Sequence, residues 1–181
     1  MTTLEVRNFF AKAREYDGDW YLLFLLYKDT GARRGEIAGL RWIDVDFSNR
    51  CIHIRSSLKY DYLNHTQILG SPKTKSSIRS IPISDKMIFA LQMRKRLGHY
   101  GDKRYVFAGQ DGQPLRLTFI SDMFARVRDA AGLDKHLSLH CFRHTLASNL
   151  LMSGIDIPTV QRIGGWATHD VLMSTYATFK Q

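Results

Sequence analysis

Four short stretches of a 181-residue chain hold side chains that could handle a phosphate group. Arg33, in TGAR, offers a planar guanidinium fork that fits phosphate oxygens, and Glu36 follows three residues later, a spacing at which two helical side chains meet. His140 and Arg143, in HCFR, have the same spacing, so one helix face would carry an imidazole beside a second guanidinium. Lys73 and Lys75, in PKTK, supply mobile ammonium donors, and Arg79 follows in the same stretch. Tyr176, in STYA, carries a phenolic hydroxyl that can donate or accept a hydrogen bond. Each group also has a plainer reading. Arg33 alone would be a surface salt-bridge arginine and Glu36 a helix-capping or surface charge. His140 and Arg143 would be a structural pair, the lysines and Arg79 solvated charges, and Tyr176 a packing residue.

The elements that would have to hold these groups can be read from apolar spacing. Residues 2–17 and 20–29 have helix-compatible patterns, and Gly31 marks a turn before a short helix in ARRGEIAGL. Alternation in VDF, CIHIRSS and SSIRSIPI predicts short strands, with Pro82 favouring the end or edge of the last and a polar connection between the second and third. Residues 84–97 and 117–131 read as helices, YVFA at 105–108 as a short strand, and QDGQP as a turn. Further helices are predicted over 138–152, 157–163 and 169–178, separated by SGID and GGWAT.

A net charge of +9 favours an anionic, phosphate-rich partner and argues against an acidic solvating domain. With 44% hydrophobic residues and 4 prolines the composition suits one ordinary core and excludes collagen-like and wholly disordered classes. The apolar run WYLLFLLY at 20–27 is too short to span a membrane, and MTTLEVRNFF lacks a secretory hydrophobic segment. Cys51 and Cys141 form neither a CxxC pair nor a disulfide scaffold, fit a reducing compartment, and make no zinc site by themselves. A cytoplasmic location is expected.

Taken in order, TGARRGEIAGLRW (30–42), SPKTKSSIRSIPI (71–83), LHCFRHTLAS (139–148) and GGWATHDVLMSTYA (164–177) resemble the signature blocks of the tyrosine recombinase, or phage integrase, catalytic domain. The resemblance extends over nearly the whole chain and rests on the succession of blocks, since HxxR or a terminal tyrosine alone is common by chance. It implies a mixed α/β, predominantly helical fold with a small antiparallel sheet. It also implies that 1–181 is a catalytic domain without the usual preceding core-binding domain.

The resemblance further assigns roles. Arg33 and Arg143 would bind and neutralise the scissile phosphate, and His140 would donate a hydrogen bond or assist proton transfer. Lys73, with Lys75 as its nearby competitor, would protonate the departing 5′ oxygen, and Tyr176 would be the nucleophile. Glu36 matches an acidic supporting residue that orients Arg33 or another basic group. Trp166 stands at a position occupied by histidine or tryptophan in the family, where its indole can donate and pack but cannot shuttle a proton. His144 reads as a supporting histidine and His169 as a local capping or surface residue. Lys75 and Arg79 are candidates for DNA-backbone contact, Arg79 equally well as a plain exposed charge.

The implied reaction is cleavage and religation of double-stranded DNA through a covalent 3′-phosphotyrosine, with no metal or other cofactor. The chain has no GxxxxGK[ST] phosphate loop, and its scattered carboxylates establish no two-metal site. Four protomers on paired sites are implied for a full-length protein, with room for accessory DNA-bending proteins, whereas an isolated copy is compatible with a monomer. Five residues follow Tyr176, so C-terminal exchange between protomers is expected to be minimal. The nonenzymatic alternative is a catalytically inactive DNA-binding or architectural module, with 157–178 mimicking a helix-turn-helix.

Overall fold

Thr2 and Glu5 open the first helix by reciprocal capping: Glu5 N–H donates to Thr2 Oγ1, and Thr2 N–H donates to Glu5 Oε2. In the computed structural model, which describes residues 1–71, 77–98, 104–166, 168, 172 and 173, that helix is α1 (Thr3–Tyr16). Asp17 ends it and caps α2 (Gly18–Thr30) through Asp19 N–H. Gly31, at φ 58°, stops α2 in a left-handed turn. The short α3 (Arg34–Ala38) follows directly, so Arg33 sits at the boundary between two helices, as its neighbouring glycine suggests.

Five short strands come next: β1 (Val45–Asp46), β2 (Cys51–Ile54), β3 (Ser57–Asp61), β4 (Thr66–Gly70) and β5 (Arg79–Pro82). They form two antiparallel sheets, one ordered β1-β2-β5 and the other the hairpin β3-β4. Residues 58–70, expected to be a polar connection, therefore contain most of a hairpin. Leu58 pairs with Leu69 and is buried, while the other positions are mostly polar and obscure the alternation. The strand expected at 105–108 is reduced to isolated bridges, Tyr105 with Arg41 and Ala108 with Pro114.

The remaining helices are α4 (Asp85–Gly98), α5 (Leu117–Ala130), α6 (Leu139–Met152) and α7 (Ile157–Gly164). The helix expected over 169–178 lies mostly outside the described residues. The fold is thus mixed α/β and predominantly helical with small antiparallel sheets, and no helix among the described residues is long and apolar enough to cross a membrane.

Aromatic side chains tie the helices together. Phe9 of α1 lies 5.3 Å from Phe24 of α2, 4.9 Å from Phe124 of α5 and 5.3 Å from Phe142 of α6, measured between ring centroids. All four rings are buried, and their edge-to-face and stacked pairings add to the burial energy. This packing matters for function because Phe142 lies between two candidate site residues in sequence: locking its ring into the core fixes the rotation of α6 and with it the direction of Arg143.

Candidate active site

The boundary between α2 and α3, the start of β5, the first turns of α6 and the end of α7 meet at one place. Glu36 is at its centre and is 1% exposed. Its Oε1 accepts from Arg33 Nη1 at 2.9 Å and Arg79 Nη1 at 3.2 Å, and its Oε2 from Arg79 Nη2 and Arg33 backbone N–H at 2.9 and 2.8 Å. Burial alone would raise this carboxyl, but the hydrogen bonds and charges of Arg79 and Arg33 outweigh it and the net shift is downward. The carboxylate is therefore ionised at neutral pH.

Arg79 is also committed elsewhere: Nε donates to Ile163 O at 2.8 Å and Nη1 to Ser77 O at 2.9 Å. Its side chain is 3% exposed. The reading of Arg79 as an exposed charge or phosphate-contacting residue of a surface hairpin is accordingly corrected. It is a buried cation whose nitrogens are spent on Glu36 and backbone carbonyls. The isolated stretch SIRSIPI could not reveal this, because the neutralising carboxylate lies 43 residues away in sequence.

Arg33 keeps more freedom. Nη1 also donates to Ser77 Oγ and Nη2 to Gly165 O, each at 2.9 Å, yet about a third of the side chain faces solvent. Arg143 approaches from α6. Its Nη1 donates to Gly31 O at 2.6 Å, and its guanidinium carbon lies 3.9 Å from the centroid of the Trp166 ring, a cation–π stack. Its Nη2 is buried without a hydrogen-bond partner among the described residues. Burial pulls the Arg143 pKa down to about 9, helped by the charges of Arg33 and Arg79 and opposed by Glu36, so the group stays cationic at pH 7. Three guanidiniums face one carboxylate, and a buried N–H remains to be satisfied. An anion with acceptor oxygens would answer both imbalances.

Two glycines make the α7 side of this arrangement. Gly165, at φ 69°, ends α7 in the left-handed conformation, and a Cβ there would stand 2.9 Å from Arg79 Nη1. At Gly164 a Cβ would fall 1.6 Å from Trp166 Cζ3, so only a bare backbone lets the indole fold back beneath Arg143. Trp166 packs with Ala147, Val160 and Leu172. Its ring also carries the Arg143 stack, a contact that its sequence position alone does not reveal.

His140 stands exposed in the first turn of α6. Partial desolvation, then Arg143, Arg34 and Arg33, lower its pKa below the ordinary imidazole value, leaving it neutral at pH 7 and able to donate or accept. His144 is lowered as well, by burial and by His140 and Arg143. The structure thus brings Arg33, Glu36, His140, Arg143 and Trp166 to one locality. Lys73, Lys75, His169 and Tyr176 lie outside the described residues. A separate cavity of about 520 Å³, lined in part by Met1, Lys28, Ser84, Thr145 and Asn149, includes none of the cradle residues.

Comparison with known proteins places this arrangement. The chain is 28% identical over 173 residues to a protein described as tyrosine recombinase XerC-like from Caldanaerobacter subterraneus subsp. tengcongensis, covering 85% of the chain and 44% of the relative. It is 29% identical over 146 residues to a probable integrase of prophage ps2 in Lactococcus lactis subsp. lactis, covering 75% of the chain and 38% of the relative. The chain therefore spans less than half the length of these curated relatives. Among solved structures, the Tn1549 transposon integrase in complex with transposon right end DNA superposes with a TM-score of 0.84 at 23% identity, covering 97% of this chain and 60% of that one. XerA recombinase superposes with a TM-score of 0.78 at 24% identity, covering 97% and 57%. These likenesses establish the fold. The phage integrase family model matches residues 1–181, and the chain belongs to that family.

Proposed function

We propose that residues 1–181 are the catalytic module of a tyrosine site-specific recombinase that cuts and rejoins double-stranded DNA. The observation that carries this reading is the buried Nη2 of Arg143, without a hydrogen-bond partner among the described residues, set in a cationic cradle to which all four sequence blocks contribute. A scissile phosphate supplies the missing acceptor. Its non-bridging oxygens draw on Arg143 and on the partly exposed Arg33, which are preorganised by the Trp166 stack and the Glu36 ion pair, so little reorganisation is needed as charge builds in the transition state.

Tyr176 attacks phosphorus, a 3′-phosphotyrosine forms, and the 5′ oxygen leaves with a proton from Lys73. A 5′ hydroxyl from a second duplex then reverses the attack and frees the tyrosine. The phosphodiester energy is kept in the covalent intermediate, so ATP is not consumed. Neutral His140 can donate to a phosphate oxygen or relay a proton as Tyr176 loses its own. Leu172, four residues before Tyr176, is fully buried against Trp166, Ala147 and Val160, which supports bringing the nucleophile's segment past the cradle. Basic residues of the chain follow the DNA backbone, and exchange between two duplexes takes place in a four-protomer synapse of the full-length protein.

The test uses a candidate recombination site with a nick beside the cleavage position, in chelator, so that the short leaving strand diffuses away. The expected result is a denaturation-resistant protein–DNA adduct that disappears in Tyr176→Phe. An adduct persisting in Tyr176→Phe refutes the assigned nucleophile. DNA binding without any adduct, for this chain and for its full-length form, makes the protein a binding module instead.

A further inference from the structure

The three-stranded sheet has a second face that the cradle does not use. Val45, Ile52, Ile54, Arg79 and Ile81 are its buried residues, so the alternate positions Asp46, Cys51, His53 and Ser80 share the opposite face. Asp46 pairs directly with Cys51 across β1 and β2, His53 is two residues further along β2, and Ser80 pairs with His53 from β5.

The register gathers three donor atoms of different chemistry. His53 Nε2 lies 3.7 Å from Asp46 Oδ2 and 3.9 Å from Cys51 Sγ, and all three donors lie within 4.8 Å of one another. Metal–ligand bonds of about 2.0–2.3 Å in a tetrahedron put donors roughly 3.3–3.6 Å apart, so modest closure brings these three onto one ion. His53 Nδ1 is 2.8 Å from Ser80 Oγ. A hydrogen bond from Nδ1–H to that hydroxyl leaves the Nε2 lone pair facing Cys51 and Asp46, the outer contact that orients metal-bound imidazoles. Asp46 is oriented too, its Oδ1 and Oδ2 accepting from Asn49 N–H and Nδ2 at 2.8 and 2.7 Å.

We propose that Asp46, Cys51 and His53 form a three-ligand site for a zinc-class dication, with solvent as the fourth ligand, that clamps the edge strand β1 to β2. Sulfur and imidazole nitrogen select a borderline-soft ion over magnesium or calcium. The thiol gives up its proton to solvent on binding, and thiolate and carboxylate together neutralise the two positive charges. The side chains of His53 and Asp46 are about a quarter exposed, which leaves the outer coordination position open to water. The site is structural and lies across the sheet from the arginine cradle.

Cobalt(II) is the probe, titrated into the metal-free 181-residue protein. The expected result is a one-to-one rise of visible ligand-field bands and of a near-ultraviolet thiolate-to-cobalt band, both lost on adding zinc. Cys51→Ser removes the thiolate band, Cys141→Ser retains it, and Ser80→Ala weakens cobalt binding about 10-fold to 100-fold. Should Cys51→Ser fail to fold by circular dichroism, Asp46→Asn and His53→Gln give the same answer through weakened affinity. The absence of a thiolate band at saturating cobalt overturns the proposal. So does a band that survives Cys51→Ser or is lost in Cys141→Ser, or an affinity unchanged in both Asp46→Asn and His53→Gln.

Discussion

Glu36→Gln isolates the charge at the centre of the cradle while keeping the side chain's shape. Both carboxylate oxygens are doubly engaged: Oε1 by Arg33 Nη1 and Arg79 Nη1, and Oε2 by Arg79 Nη2 and Arg33 N–H. Whichever oxygen becomes the amide nitrogen, two donors are left facing a donor, so an amide flip gives no escape. Hydrogen bonds to charged groups contribute about 1.5–3 kcal/mol each, and removing one partner of a buried ion pair costs about 3–5 kcal/mol. Against a typical total of about 5–15 kcal/mol, Glu36→Gln is expected to lose about 3–5 kcal/mol, read as a lower urea midpoint with an unchanged slope. The pH dependence gives a second reading. Because the folded-state pKa of Glu36 is depressed, its stabilising contribution is present above 4.5 and is lost as pH falls through the folded-state value. The variant should therefore lose part of the acid-side slope of stability. A cost under about 1 kcal/mol, or an unchanged acid limb, would refute the placement of the charge at the centre of this site.

Three further outcomes follow from the packing and the titrating groups. Phe142→Ala, which empties a fully buried ring position shared with Phe9 and Phe124, should cost about 3–5 kcal/mol in denaturant unfolding, and a loss below about 1 kcal/mol would contradict its role in anchoring α6. Gly164→Ala drives a methyl into the Trp166 ring and should cost about 1–3 kcal/mol while changing tryptophan fluorescence; an unchanged spectrum and stability would count against the folded-back indole. His140 and His144 are both held below the ordinary imidazole value, so the unfolded chain binds more protons just below pH 6.5 and stability decreases as pH is lowered there. Replacing both by glutamine should flatten that part of the stability profile, and an undiminished slope would assign the titration to other groups.

The sequence made the candidate groups legible where chemistry and short spacing coincide. Arg33 with Glu36 and His140 with Arg143 are i,i+3 pairs, and the helices that carry them were readable from apolar periodicity. What could not be read locally is what lies far apart along the chain. Arg79 looks solvated until Glu36 is seen beside it, and the Gly31 carbonyl that holds Arg143 is 112 residues away. The β3-β4 hairpin leaves little trace in the sequence because its strands are mostly polar and partly exposed, so the alternation that reveals a half-buried strand is absent. The short strand read at 105–108 reflects buried Val106 and Phe107, which belong to the core without pairing along a ladder.

The last turn of α7 is held by the same two arginines that meet at Glu36: Arg79 takes the carbonyl of Ile163 and Arg33 that of Gly165. An anion that recruits Arg33 draws on the nitrogens that tether the Gly165 carbonyl, so ligand and tether are thermodynamically linked through one side chain. By reciprocity, whatever factor the anion exerts on the grip of this turn, release of the turn must exert on anion affinity. Mechanical tension on the chain beyond Trp166 would thus register as a change in phosphate affinity some distance from where the pull is applied.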